Sequence, residues 1–177
     1  MTHTGIKILD FDEQWIKEFK SIKQVISKSL GNLIIDIEHV GSTSIKGLGA
    51  KPILDIDIVI EIYDVFTNVI RALEKLGYFH QEEWSFEGRE AFGRKDIYSP
   101  WDEYGTRWME HHLYVCNKDS KELKKHIAFR DYLRNNHEAV TEYEKIKRNL
   151  AETVQDRTSY TLGKSEFINN ILDKAMN

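Results

Sequence analysis

The segment Ile53-Leu54-Asp55-Ile56-Asp57-Ile58-Val59-Ile60 constrains this chain more than any other. It is rich in β-branched residues and follows the chain-breaking stretch Gly47-Leu48-Gly49-Ala50-Lys51-Pro52, so it reads as a strand. Side chains along a strand alternate between its two faces. Leu54, Ile56, Ile58 and Ile60 therefore form an apolar face, and Ile53, Asp55, Asp57 and Val59 form the other. The two carboxylates project together with Cα atoms about 6–7 Å apart, close enough to share one hard cation. The plainer alternative is that both simply solvate the outer face of a half-buried sheet.

The surroundings favour the cation. Upstream, Leu33-Ile34-Ile35-Asp36-Ile37-Glu38 reads as a second strand running into His39-Val40-Gly41-Ser42-Thr43-Ser44. A glycine beside hydroxyl residues offers free backbone and side-chain donors to a phosphate, which makes Gly41, Ser42 and Thr43 phosphate-binding candidates. Lys51, just before the acidic strand, can add a point charge to the same phosphates. A P-loop is excluded because no Gly-Lys-Ser/Thr occurs, and Lys51 leads through Pro52 into a strand instead of a helix.

Elsewhere, Trp15, Ile16, Phe19, Ile22, Val25, Ile26 and Leu30 recur at spacings of three and four, which predicts a helix over 12–30 closed by Gly31. A second helix is expected over 63–76, ended by Gly77. Short strands are expected near 91–92 and 97–98, a stronger one over 110–116, and helices over 120–135, 137–152 and 162–175. No repeat or linker divides the chain. The expectation is one α+β domain over 1–177, with a sheet-bearing core at 1–118 and a helical C-terminal part at 119–177.

Charge and cysteine content narrow the setting. The 25 Lys and Arg and 29 Asp and Glu give a formal net charge of −4 with no global positive field, which disfavours a long nucleic-acid partner. Cys116 lies in the apolar run Leu113-Tyr114-Val115-Cys116 and reads as a small buried hydrophobe in a reducing compartment. The early residues Asp10, Asp12 and Glu13 are unlike a signal peptide, and no apolar stretch approaches the ~20 residues that span a bilayer. A cytoplasmic protein that does not enter membranes is expected.

Glu38-His39-Val40-Gly41-Ser42-Thr43-Ser44, Gly47-Leu48 and Ala50-Lys51-Pro52-Ile53-Leu54-Asp55-Ile56-Asp57 together resemble the signature of the GrpB family, within the polymerase-beta-like nucleotidyltransferase superfamily. The resemblance continues through Gly77-Tyr78, Gly88-Arg89, His111-His112-Leu113, Phe129-Arg130-Asp131-Tyr132-Leu133-Arg134, Tyr143 with Lys147, and Arg157 with Tyr160 and Lys164. It implies a small mixed sheet with helices packed on it. It also implies a Gly-Ser turn holding nucleotide phosphates and an Asp-x-Asp strand holding Mg²⁺, with Mn²⁺ able to replace it.

The activity implied is transfer of a nucleotidyl group from an NTP to a small-molecule acceptor. In that superfamily a third carboxylate on a neighbouring strand commonly completes the site. Here Glu110, His112 and Tyr114 share one strand face, which puts His112 at the central place as a catalytic candidate, although a hydrogen-bonded structural histidine is the plainer reading. Tyr114 departs from the His-Leu-His that the family more often shows. Arg89, in a Gly-flanked segment, is a pocket candidate, whereas Arg134 and Lys164 read as surface ion-pairing residues. The alternative function is a non-catalytic nucleotide- or phosphometabolite-binding module. The family's occurrence in fusion with dephospho-coenzyme A kinase links such a module, by association, to coenzyme A metabolism.

Overall fold

The computed structural model describes residues 5–177. Within them, strands β1 (Asp36–Val40), β2 (Leu54–Ile60), β3 (Tyr78–His80), β4 (Glu90–Arg94) and β5 (His111–Asn117) form one mixed sheet ordered β1-β2-β5-β4-β3. The acidic strand β2 runs antiparallel to β1, with Val40 opposite Asp55 and Glu38 opposite Asp57. On its other side it runs parallel to β5, with His112 opposite Asp55 and Tyr114 opposite Asp57. Register thus surrounds each aspartate with known neighbours.

Helices cover both faces. Helix α1 (Glu13–Leu30) is capped by Asp12, whose carboxylate accepts from the Gln14 N–H at 2.8 Å, and α2 is Phe66–Glu74. Their apolar stripes, Trp15, Phe19, Ile22, Ile26, Val69 and Leu73 among them, bury Leu54, Ile56, Ile58 and Ile60 completely. Helices α3 (Lys121–Asn135), α4 (His137–Thr153) and α5 (Arg157–Met176) form a second core with Ile45 and Leu48 of the Gly-rich segment. On the acidic face, Val59 and Cys116 pack against Leu123 of α3, so the thiol is indeed a buried apolar filler.

Several expected boundaries move. The strand expected over 33–38 is displaced to β1, because α1 runs on into a tight turn at Gly31–Leu33 whose Leu33 and the following Ile34 pack onto the core. Residues 97–98 form a turn and no strand. The Asp96 carboxylate there accepts from the Tyr98 N–H at 2.8 Å, satisfying locally a donor that a ladder would need. The expected helix over 63–76 opens with a separate tight turn, Tyr63–Val65, before α2. Helix α5 starts before residue 162, capped by Asp156, which accepts from the Ser159 N–H at 2.8 Å.

Candidate functional site

Gly41 ends β1 with φ 72° and ψ −175°, a backbone region open essentially to glycine alone. A Cβ at this position would lie 2.3 Å from Asp55 Oδ2, so the main chain packs directly on that carboxylate. The turn Ser42–Ser44 that follows is held from several sides. Ser44 Oγ donates to the Gly41 carbonyl at 2.6 Å, and His39 Nε2 meets Thr43 Oγ1 at 2.9 Å while its ring stacks on Phe19 at 4.6 Å. Arg134 of α3 donates through Nε and Nη2 to the Ser44 carbonyl at 3.1 and 2.8 Å. The expectation of a surface ion pair at Arg134 is corrected: this guanidinium braces the turn.

Each aspartate carries its own imidazole. His112 Nδ1 lies 3.0 Å from Asp55 Oδ1, and the side chains are 52% and 35% exposed. His126 Nδ1, from α3, lies 2.6 Å from Asp57 Oδ2, with exposures of 29% and 0%. The hydrogen bond it donates to Asp55, reinforced by that carboxylate's charge, raises the His112 imidazole above its ordinary value. At His126 burial opposes the charged form, but the bond and charge of Asp57, with Glu122 and Asp55, outweigh it and the shift is also upward. Full burial of Asp57 excludes the reading in which both aspartates merely wet an outer face.

The turn and Asp55 border a cleft with two lobes that share Ser42, Asp55 and Lys164. The larger, about 410 Å³, reaches past Phe129, Tyr143 and Ile168 and is bordered by His126. The smaller, about 200 Å³, is lined by Thr43, Lys51, His112, Lys147 and Tyr160. Lys51 and Lys164 lie 5.1 and 4.6 Å from the centre of the Tyr160 ring. Burial, aided by the other lysines, pushes Lys147 down to about 7. Burial and Lys51 likewise push Lys164 down to about 8, against the pull of Asp55. Lys164 is thus a wall of the cleft, which corrects the expectation of a surface ion pair. Lys51, Lys147 and Lys164 thus converge on one small cavity, a charge arrangement that suits a polyanion.

The remaining expected residue, Arg89, is placed elsewhere. Its guanidinium sits between the rings of Phe86 and Tyr114, 4.4 and 4.3 Å from their centres, and donates to the Trp84 carbonyl at 2.8 Å. It lines neither lobe.

The donor set suits a hard divalent cation. Asp57 Oδ1 is buried and has no hydrogen-bond partner among the described residues, an arrangement that is costly unless an ion or water meets it. Among the described residues, no three His, Cys, Asp or Glu side chains gather as a ligand cluster. The neighbouring carboxylate, Glu38 opposite Asp57, is taken by Arg130 Nη1 at 2.5 Å. A hard cation seated here would find two carboxylates in the protein and would need its remaining ligands from outside it.

The sequence reading missed His126 and the part played by Lys147. The signal was periodicity. Leu123, His126, Arg130 and Leu133 fall on the inward stripe of α3, and Val140, Tyr143 and Lys147 on that of α4. A polar residue inside such a stripe is a buried polar group that needs a partner.

Comparison with known proteins agrees with this architecture. The fold is that of nucleotidyltransferases: the chain of a GLD-2/RNP-8 complex superposes with a TM-score of 0.56 at 11% identity, over 94% of this chain and 61% of that one. Cid1, described as having RNA terminal uridylyl transferase activity, superposes with a TM-score of 0.54 at 6% identity, over 81% and 42%. The chain belongs to the GrpB family, whose model, described as GrpB protein, matches residues 5–174. The glutamate-rich protein GrpB of Alkalihalophilus pseudofirmus is 33% identical over 94% of both chains, and a UPF0157 protein of Halalkalibacterium halodurans is 33% identical over 98% of this chain and 84% of its own. The crystal structure of conserved protein GrpB from Enterococcus faecalis superposes with a TM-score of 0.79 at 27% identity, over 96% of each chain. Among the described residues no helix is long and apolar enough to cross a membrane.

Proposed function

We propose that this protein transfers a nucleotidyl group from an NTP to a small acceptor, using a divalent cation seated on Asp55 and Asp57. The observation that carries the reading is the buried, unpartnered Oδ1 of Asp57 beside a second carboxylate on the same strand face. Gly41, Ser42 and Thr43 would orient the phosphates, and Lys51, Lys147 and Lys164 would receive the leaving pyrophosphate in the smaller lobe. The larger lobe, with Phe129 and Tyr143 on its wall, would take the nucleoside. Mg²⁺ or Mn²⁺ would supply neutralisation of the charge that builds on the reacting phosphate.

His112 is suited to taking the acceptor's proton. Its Nδ1–H bond to Asp55 fixes the ring and leaves Nε2 as the accepting nitrogen, the geometry of a base oriented by a carboxylate. Arg89, stacked on Tyr114, stands outside both lobes and is left out of this arrangement.

The test is to incubate the protein with labelled NTPs, Mg²⁺ or Mn²⁺ and a metabolite extract and to follow pyrophosphate. Metal-dependent release that is abolished in Asp55→Asn and Asp57→Asn is expected. Unchanged metal-dependent nucleotide binding in both variants would remove the aspartates from this role. A second reading, a nucleotide- or phosphometabolite-binding module without turnover, is favoured by Tyr114 standing opposite Asp57 where a third carboxylate could complete the site. Saturable binding with no pyrophosphate release would select it.

A further inference from the structure

The geometry points to His126 as a positioning residue: it locks the Asp57 carboxylate in one orientation, so that Oδ1 alone is presented to the cation. The inference rests on the cation reading above and adds to it a residue that touches neither metal nor acceptor. A buried aspartate can turn about its Cβ–Cγ bond and exchange its two oxygens, because that torsion is broad and two-fold. At Asp57, among the described residues, one hydrogen bond resists this. His126 Nδ1 donates to Oδ2 at 2.6 Å, since an ionised carboxylate can only accept, and Oδ1 is left without a partner. The bond is short and fully shielded on the carboxylate side.

The imidazole is itself held. Leu123 and Ile127, on either side of it along α3, pack with Val59 and Cys116 of the sheet. The helix is capped by Ser120, whose Oγ donates to the Gly88 carbonyl at 2.6 Å and accepts from the Leu123 N–H at 3.2 Å. One turn beyond His126, Arg130 Nη1 ties α3 to β1 through Glu38 at 2.5 Å and the His39 carbonyl at 3.1 Å. The donor is thus fixed relative to β2 at both ends of its helical segment. A rigid outer partner of this kind reduces the reorganisation needed when a ligand oxygen binds metal.

The test measures Mn²⁺ affinity of the whole chain without nucleotide, by the loss of the free-ion EPR signal, and so does not depend on turnover. His126→Leu removes the donor and is expected to weaken Mn²⁺ binding about 10- to 100-fold. His126→Asn places an amide N–H where Nδ1 stood and is expected to stay within about threefold of the parent, whereas His126→Gln, whose amide lies one bond further out, should resemble the leucine variant. Thermal melts identify any variant that fails to fold, and the Asn and Gln pair then carries the comparison. Parental affinity in His126→Leu, or equal losses in the Asn and Gln variants, would overturn the positioning role while leaving the aspartates as ligands. No Mn²⁺ binding by the parent would overturn the cation reading and this inference with it.

Discussion

The Asp55–His112 and Asp57–His126 pairs are built from the same two side chains yet sit in opposite settings. Asp55 is half-open to solvent, its partner comes from the adjacent strand, and the main chain of Gly41 presses on its second oxygen. Asp57 is sealed, its partner comes from a helix that crosses the sheet, and its second oxygen has no hydrogen-bond partner among the described residues. The difference teaches a division of labour. Solvent reaches the imidazole of the open pair, whereas the closed pair holds one carboxylate oxygen by a shielded bond and leaves the other unpaired among the described residues.

The contrast extends to the strand itself, and its largest expected effect is in titration. His111 faces the core, where its Nε2 meets the Tyr78 hydroxyl at 2.7 Å and burial pushes it down to about 4. His112, its neighbour, is shifted upward by Asp55. NMR titration should find His111 titrating well below His112, and the reverse order would break the comparison. The stability consequence has two signs. His111 and His39, also held near 4 chiefly by burial, cost stability as pH falls from 6.5 towards 4. His112 and His126 contribute stability that is present below 6.5 and is lost as pH rises through their folded values.

Next in size is Gly41→Ala, which touches the open pair alone. The added methyl would meet Asp55 Oδ2 at 2.3 Å in a backbone region hostile to side chains, at a cost of about 2 kcal/mol or more. Calorimetry should show a fall in Tm of several degrees, with the His112 titration altered and that of His126 kept. Equal disturbance of both histidines would show the pairs to be one unit.

A smaller effect is expected in the lysine lobe. An inorganic triphosphate bound there should raise Lys147 and Lys164 from about 7 and about 8, so binding near pH 8 takes up protons. Isothermal titration in buffers of different ionisation enthalpy measures that uptake, and Lys147→Met should reduce it. The smallest change belongs to His112→Gln. An ion pair this exposed contributes on the order of 0.2–1 kcal/mol, so Tm should move by no more than about 3 °C.

The acidic strand was legible because a period of two is unambiguous where both faces are constrained, and the core residues Leu54, Ile56, Ile58 and Ile60 followed from it. The first helix was legible for the same reason at a period of 3.6. Strand β3 was not, because its three residues carry too few alternations to signal anything. Residues 97–98 misled because aromatic and branched side chains suit strands, while Asp96 and its local hydrogen bonds decided the backbone. His126 and Lys147 stayed hidden for a different reason. Their roles arise from helices docking onto residues distant in sequence, and spacing along one helix cannot name the group on the other side.

Three ties cross from the C-terminal helices to the connection between β1 and β2: Lys147 Nζ to the Gly49 carbonyl, Glu144 Oε2 accepting from the Gly49 N–H at 3.3 Å, and the Arg134 guanidinium on Ser44. They turn the last third of the chain into scaffolding for a loop that it does not itself contain. Nicking the backbone in the connection before α3 should therefore leave two fragments that co-purify, and the front fragment produced alone should lose the shape of its Gly41–Ser44 turn before it loses its sheet.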